Sequence, residues 1–205
     1  ALAFPDTYSI GMSHLGIQIL YGLLNERKDT ACERVFAPLD DMEALMRKHK
    51  IPLFSLETYT PLKEFDIIGF SLQYELSYTN ILNMIDLAEI PVMASERGET
   101  EPLVIAGGPT AISPEPLADF IDLFLIGDGE ESLPHLVELW KGMNQKKLSR
   151  KEKIVSLAQT LKNVYAPSLY EVIYHQDNTI QEIRPRISGL PSPIRSASVR
   201  DLNKT

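Results

Sequence analysis

The sequence predicts a doubly wound α/β domain, with a parallel five-stranded sheet and helices on both faces. Short apolar runs alternate with segments of helical periodicity from the first residue onward. The run at residues 65–72 is apolar throughout, as expected of a central parallel strand that helices cover on both faces. The chain has 205 residues, of which 44% are hydrophobic and 23% charged, which indicates one globular domain plus an appendage.

The N-terminal elements follow from apolar spacing. Residues 1–4 form an apolar stub that predicts the first strand, and Ser13 is placed to cap the helix after it. Apolar residues of that helix recur three and four positions apart, at Leu15, Ile19, Leu20, Leu23 and Leu24. A second strand at 33–37 precedes a helix with Met42, Leu45 and Met46 on one face.

The middle of the chain supplies the other strands of the sheet. They are predicted at 65–72, 103–106 and 123–126, with helices at 78–89 and 130–140. Residues 51–58 fit either an edge strand or an irregular segment, because Pro52 and Pro61 bound them.

The C-terminal third has a different pattern. A narrow apolar stripe between 154 and 161 predicts another helix, and two alternating runs around Asp177-Asn178 predict a β-hairpin. From Pro185 the chain lacks periodicity, which predicts a linker toward a further domain. The predicted boundaries are therefore an α/β domain at 1–143, a helix and hairpin appendage at 144–184, and a linker at 185–205.

Composition excludes several functions. The net charge of −8 offers no cationic footprint for a phosphate backbone, so we expect no nucleic-acid partner. No apolar run approaches the roughly 20 residues of a membrane span, and no signal peptide is evident, so we expect a cytoplasmic protein without membrane contact. The single cysteine, Cys32, excludes an internal disulfide and an iron–sulfur cluster held by these residues alone.

Glycine, hydroxyl and histidine residues follow four of the five predicted strands. In a doubly wound sheet the ligand crevice lies outside the carboxyl ends of the strands, where the strand order reverses. The segments that meet at this edge are residues 5–16, 71–75, 107–110 and 127–131. Each glycine pair could simply make a tight turn, whereas their co-occurrence on one rim favours close approach of a ligand.

Other sites are not supported by the residues on this rim. His14 begins a helix and is predicted to pack or to hydrogen-bond, and the other histidines are not spaced as a metal set with it. A phosphoryl-accepting receiver domain would need an aspartate and a lysine where Ser71 and Gly127 stand. Neither a P-loop nor the dinucleotide fingerprint is present.

Four segments together resemble the N-terminal part of cobalamin-binding-domain radical SAM proteins, a family of Fe–S oxidoreductases. They are PDTYSIGMSHLG at 5–16, GFSLQYE at 69–75, IAGGP at 105–109 and IGDGEE at 126–131. The resemblance implies a flavodoxin-like fold here, followed by a TIM-barrel-like domain that binds a [4Fe–4S] cluster and S-adenosylmethionine through three cysteines. Since only Cys32 is present, it implies a non-catalytic N-terminal domain whose partner is the C-terminal radical SAM domain of the same chain. The parent protein would be an oxidoreductase or a transferase.

The resemblance also implies cobalamin as a possible cofactor. Cobalamin domains use an Asp-x-His-x-x-Gly motif, a Ser-x-Leu and a Gly-Gly; this sequence keeps Gly107-Gly108, and His14 lacks the aspartate two residues before it. Binding without a protein histidine below the cobalt is therefore implied. The nucleotide tail would enter a slot between the sheet and its helices, the corrin would lie across the rim, and a bulky replacement of Gly108 should block entry. The implied cofactor-binding residues are Tyr8, Met12, Ser13, His14, Ser71, Leu72, Tyr74, Gly107, Gly108, Gly127 and Gly129.

Two other functions stay open. One is a docking domain that keeps the fold without a cofactor. The other is a flavodoxin-like module that binds another ligand such as FMN, for which Thr7, Ser9 and Ser13 are the candidate phosphate-loop hydroxyls. A cobalamin-loaded chain would be coloured, a docking domain colourless, and an FMN protein yellow.

Overall fold

A computed structural model describes residues 1–199 and places all five predicted strands in one sheet. The described strands of this sheet have the order β2-β1-β3-β4-β5-β6. Their bounds are β1 Leu2–Phe4, β2 Arg34–Phe36, β3 Ile67–Ser71, β4 Leu103–Gly107, β5 Leu123–Leu125 and β6 Val164–Tyr165. Strands β1 to β5 are parallel, and β6 runs antiparallel to β5. The strand order reverses between β1 and β3, so the flavodoxin-like prediction is confirmed.

The sixth strand, β6, was not predicted from the sequence. It is two residues long and lies within the segment that was assigned to an appendage. Its pairing with β5 joins residues about forty positions apart in the sequence, so no local sequence pattern predicts this strand. Residues 51–58 contribute only an isolated bridge between Phe54 and Pro61, as the flanking prolines allow.

Helices cover both faces of the sheet. Those described are α1 Tyr8–Gly11, α2 Leu15–Asn25, α3 Asp40–His49, α4 Tyr78–Leu87, α5 Gly129–Gln145 and α6 Arg150–Thr160. Helices α2 and α5 pack beside each other on one face. On the other face, α3 and α4 are joined by Asn83, which donates to Glu43 at 2.7 Å, and by Arg47, which donates to Asp86 at 2.8 Å. In the described chain, no helix is long and apolar enough to cross a bilayer.

The predicted hairpin is present as strands β7 (Tyr170–Tyr174) and β8 (Ile180–Pro185). Asn178 in its turn has φ of 66°, the left-handed conformation that asparagine tolerates. The chain after the hairpin returns along the domain: the Arg186 N–H donates to the Leu169 carbonyl at 2.8 Å, and the Tyr170 hydroxyl donates to the Pro191 carbonyl at 2.8 Å. The described part of the segment predicted as a linker is thus hydrogen-bonded to the domain, while residues 200–205 lie outside the described range.

Candidate cofactor slot

A cavity of about 570 Å³ lies at the carboxyl ends of the parallel strands. It is bounded by one face of the sheet and by helices α2 and α5. Residues from the ends of β3, β4 and β5 and from the first turns of both helices line it, so the cavity lies at the edge where doubly wound folds bind ligands. We call this cavity the slot.

Gly69, in the middle of β3, is at the floor of the slot. A Cβ atom on Gly69 would have Ile105 Cγ1 at 3.5 Å and Leu2 Cδ2 at 3.6 Å, which are ordinary contacts. The absence of a side chain therefore leaves space between the sheet and the helices that a larger residue would fill without strain in the backbone.

The walls below the mouth are apolar. Among the described residues, apolar side chains from the sheet and from both helices line the slot: Leu2, Ile17, Leu20, Ile105, Leu125 and Leu133. The polar side chains that line the slot come from the loops and helix ends at its mouth: His14, Ser71, Gln73, Asp128, Glu130 and Ser196. A ligand group that enters the slot passes from a polar rim into an apolar interior.

Gly107 lies at the mouth, at the end of β4. The nearest atom to a Cβ on Gly107 would be the carbonyl oxygen of Leu125, at 3.5 Å, so a side chain there is compatible with the fold and would project at the slot entrance. Ser71, on the neighbouring strand, accepts a hydrogen bond from Gln73 Nε2 at 2.7 Å. These two predicted residues do line the slot.

Gly108 and Gly127 also line the slot, but the backbone itself requires them. Gly108 has φ of 114°, and a Cβ there would lie 2.6 Å from the Leu72 carbonyl oxygen. Gly127 has φ of 93°, and its Cβ would lie 2.2 Å from the Ala197 carbonyl oxygen. Replacing Gly108 with a bulky residue would therefore strain the fold whether or not a ligand binds, and the variant expected from sequence to test slot entry cannot do so.

His14 borders the slot as the N-cap of α2. Its Nδ1 accepts a hydrogen bond from the Ile17 N–H at 3.4 Å, and its ring lies 5.3 Å from that of Phe4. Ser13, which the sequence suggested as the cap, instead donates its hydroxyl to the Ile10 carbonyl at 2.9 Å, because the short helix α1 turns the chain before α2 begins.

The other predicted residues surround the slot without lining it. The Tyr74 hydroxyl donates to Asp6 Oδ2 at 2.6 Å, which joins the loops after β1 and β3 and raises the pKa of Tyr74. Tyr8 packs edge-on against Phe36, the Met12 sulfur accepts from Arg34 Nη1 at 3.4 Å, and Leu72 is buried. The structure thus brings together His14, Ser71, Gly107, Gly108, Gly127 and Gly129 at the slot and leaves Tyr8, Met12, Ser13, Leu72 and Tyr74 outside its lining.

The family model for the N-terminal part of radical SAM proteins matches residues 16–167, from the first turn of α2 through β6. The chain belongs to this family. An uncharacterized protein of Methanocaldococcus jannaschii is 27% identical over 134 residues, which cover 64% of this chain and 24% of that protein. The chain therefore spans about a quarter of the length of this curated relative. No solved structure matches the chain.

Sequence reasoning found the mouth of the slot in this radical SAM N-terminal domain but missed its interior. The missed residues are Leu2, Ile17, Leu20, Gly69, Ile105, Leu125 and Leu133. Gly69 carried the one available signal, because a glycine inside an apolar strand often marks a close approach of another group. The apolar residues are indistinguishable from core residues until the separation of α2 and α5 from the sheet is known.

Large apolar side chains are exposed around the slot, at the start of α2 and in the turns after β3 and β4. Leu15 is 68% exposed, Leu76 86% and Ile112 75%. They follow β1, β3 and β4 respectively, so they share the edge at which the slot opens. Exposed apolar side chains on one edge of a domain are typical of a surface that another molecule or domain covers.

Among residues 1–199, no group of three or more His, Cys, Asp and Glu side chains is arranged to hold a metal ion. The candidate FMN hydroxyls are engaged with one another and with the backbone: Thr7 Oγ1 lies 3.1 Å from Ser9 Oγ, and Ser13 bonds to Ile10.

Proposed function

We propose that this radical SAM N-terminal domain binds cobalamin, with the nucleotide tail in the slot and the corrin across the rim. The observation that carries the proposal is the apolar slot above Gly69, which opens at the edge of the sheet where the strand order reverses. In this proposal the [4Fe–4S] cluster, S-adenosylmethionine and catalysis belong to another part of the parent protein, which acts in the cytoplasm.

The residues of the slot fit such a tail. Ligand cavities commonly have volumes of roughly 300–1,000 Å³, and the slot has about 570 Å³. A flat aromatic base is suited to the space between the sheet and α2 that Gly69 leaves, and the polar mouth suits the ribose and phosphate of the tail. When bound, cobalamin would supply a cobalt centre for group transfer, and the chain would hold and orient it and exclude water from the base.

His14 has a structural role in this proposal. Because its Nδ1 accepts the hydrogen bond that caps α2, the neutral ring carries its proton on Nε2, so neither nitrogen offers a free lone pair to cobalt. We therefore propose that the domain binds cobalamin with no protein histidine below the cobalt.

The test is cobalamin binding by the 205-residue chain and by the Gly69→Val variant. Hydroxocobalamin is added, free ligand is removed by gel filtration, and bound corrinoid is read from its visible absorbance. We expect a coloured wild-type protein and a colourless variant, because valine fills the floor of the slot. The free energy of unfolding of the variant should equal or exceed that of wild type, since valine suits a strand and fills a cavity.

Gly22→Ala is the matched control. Gly22 is on the exposed face of α2, and a Cβ there meets no atom within 4 Å. This variant should bind cobalamin like wild type. Undiminished binding by Gly69→Val would contradict the slot as the binding site, and a colourless wild-type protein would contradict cobalamin binding.

A docking domain without a cofactor is the second candidate, favoured by the exposed Leu15, Leu76 and Ile112 around the slot. It predicts a colourless chain that binds the remainder of the parent protein. An FMN module is less well supported, because the candidate hydroxyls pair locally and His14 caps the first turn of α2. It predicts a yellow preparation.

A further inference from the structure

We infer that the slot selects among corrinoids by their lower base, and that it takes a benzimidazole or phenolic base in preference to a purine. This inference rests on the proposed function. It follows from what lies below the mouth of the slot, where the base of the tail would be held.

The side chains of the interior offer a base only apolar contacts. Leu2 and Ile105 flank Gly69 on the sheet, while Leu20 and Leu133 line the slot from the two helices, with the end of the Leu20 side chain beside Gly129. Each of these four side chains belongs to the apolar core or packs against it. An amino group or a ring nitrogen placed among them would have no side-chain partner in the interior lining.

The backbone of the floor is already hydrogen-bonded. Gly69 pairs with Leu2 on β1 and with Ile105 on β4, and its N–H donates to the Ala1 carbonyl at 2.9 Å. Backbone N–H groups inside α2 and α5 are engaged within those helices, and Pro134 of α5, which has no N–H, leaves without that partner only the carbonyl of Glu130, in the first turn at the mouth. The interior therefore supplies neither backbone nor side-chain partners to a polar edge.

Polar groups do lie beyond the floor, at the opposite edge of the sheet. A second cavity of about 390 Å³ shares Leu2, Gly69, Ile105 and Leu133 with the slot. Its other lining includes several polar residues, among them Asp29, Thr60, Asp66, Lys141 and Asn144. Asp66 is three residues before Gly69 along the chain, about 10 Å of extended strand. A base held at Gly69 does not reach it.

The bases of natural corrinoids differ in what they would leave unpaired. Relative to dimethylbenzimidazole, adenine adds an exocyclic amino group and two ring nitrogens, whereas a phenolic base has no ring nitrogen. A buried polar group that loses water without gaining a partner weakens binding, and a single such group accounts for about a tenfold change in the dissociation constant. The slot should therefore bind adeninylcobamide at least about tenfold more weakly than cobalamin.

The experiment measures dissociation constants of the 205-residue chain for three cobamides by equilibrium dialysis. They are cobalamin, p-cresolylcobamide and adeninylcobamide, which share the corrin and differ in the base. We expect p-cresolylcobamide, whose base has no ring nitrogen to leave unpaired, to bind at least as tightly as cobalamin, and the adeninyl form to bind at least about tenfold more weakly than cobalamin. Equal binding of all three would overturn the inference while leaving the proposed function intact.

A pair of leucine variants on α2 places the selectivity in the slot. Leu20→Gln puts an amide in the lining of the slot and should reduce the ratio of the dissociation constants of adeninylcobamide and cobalamin, because the amide can pair with the purine edge. Leu15→Gln, at an exposed position on the same helix, should leave the ratio of these two dissociation constants unchanged. If Leu20→Gln still binds cobalamin and the ratio of the two dissociation constants is unchanged, the inference is contradicted. If wild type binds none of the three cobamides, the proposed function is contradicted as well.

Discussion

Glycine has two different roles in this domain, and only the structure separates them. Gly108 and Gly127 have positive φ, and any side chain on either would meet the backbone of a neighbouring segment. A Cβ on Gly69 or Gly107 would make only ordinary contacts, so these two glycines shape the slot rather than the chain path. The sequence contains all four as the same residue type, and neighbouring letters do not reveal the conformation of each.

Cys32 gives a prediction at the scale of one residue. Burial raises the pKa of its thiol from 9.0 to about 11, and the residue is 5% exposed. The folded protein should therefore react slowly with dithionitrobenzoate at pH 8 and rapidly once urea unfolds it. Prompt labelling of the native protein would contradict the burial of this thiol.

The same shift of the Cys32 pKa links folding to pH. Because the folded pKa lies above the unfolded value, the folded state keeps this proton as the pH rises through 9. The contribution to the free energy of unfolding is complete below pH 9 and falls as the pH rises toward 11. Urea titrations should show a smaller decline over this range in Cys32→Ala than in wild type, and equal declines would count against the link.

At the scale of elements, the C-terminal segment is attached to the rim of the slot. The Ala197 N–H donates to the Ile126 carbonyl at 2.9 Å, and the Val199 N–H donates to Asp128 Oδ2 at 2.8 Å. Ser196 from this segment lines the slot mouth. Gly127 permits the approach, since it has no side chain to meet Ala197.

Gly127→Ala should therefore detach residues 195–199 from the rim. The added Cβ would meet the Ala197 carbonyl oxygen at 2.2 Å, and the positive φ of the position adds strain. Hydrogen exchange should show faster exchange at the Ala197 amide, while amides of β3 stay protected. Gly22→Ala, which touches nothing, serves as the control, and unchanged protection of Ala197 in the Gly127 variant would refute the attachment.

Elements with strong local signals were predictable from sequence, and those made by distant pairing were not. The apolar run that became β3 and the Asp177-Asn178 turn of the hairpin carry their structure in neighbouring residues. Strand β6 depends on pairing with β5, and the returning C-terminal segment depends on pairing with residues 126–128. In each case the two partners lie far apart in the sequence, so a short stretch of sequence contains only one of them. For the same reason the rim of the site was predicted, and its floor was not.

At the scale of the whole molecule, parallel topology places the candidate site. Strands β1, β3, β4 and β5 end at one edge, which gathers their loops around the slot and exposes apolar side chains beside it. The matched relative is about four times as long as its aligned region. We propose that the radical SAM part of the parent protein covers this edge and meets the corrin there.

The measurement that tests the account most directly compares cobalamin with cobinamide, which has the corrin but lacks the nucleotide tail. Both are titrated into the 205-residue chain, and their dissociation constants are read from the change in visible absorbance. Because the tail is proposed to lie in the slot, we expect cobinamide to bind at least about a hundredfold more weakly than cobalamin. This ratio corresponds to a difference of roughly 2.7 kcal/mol in binding free energy. Equal affinity for the two would contradict it, since binding would then owe nothing to the slot above Gly69.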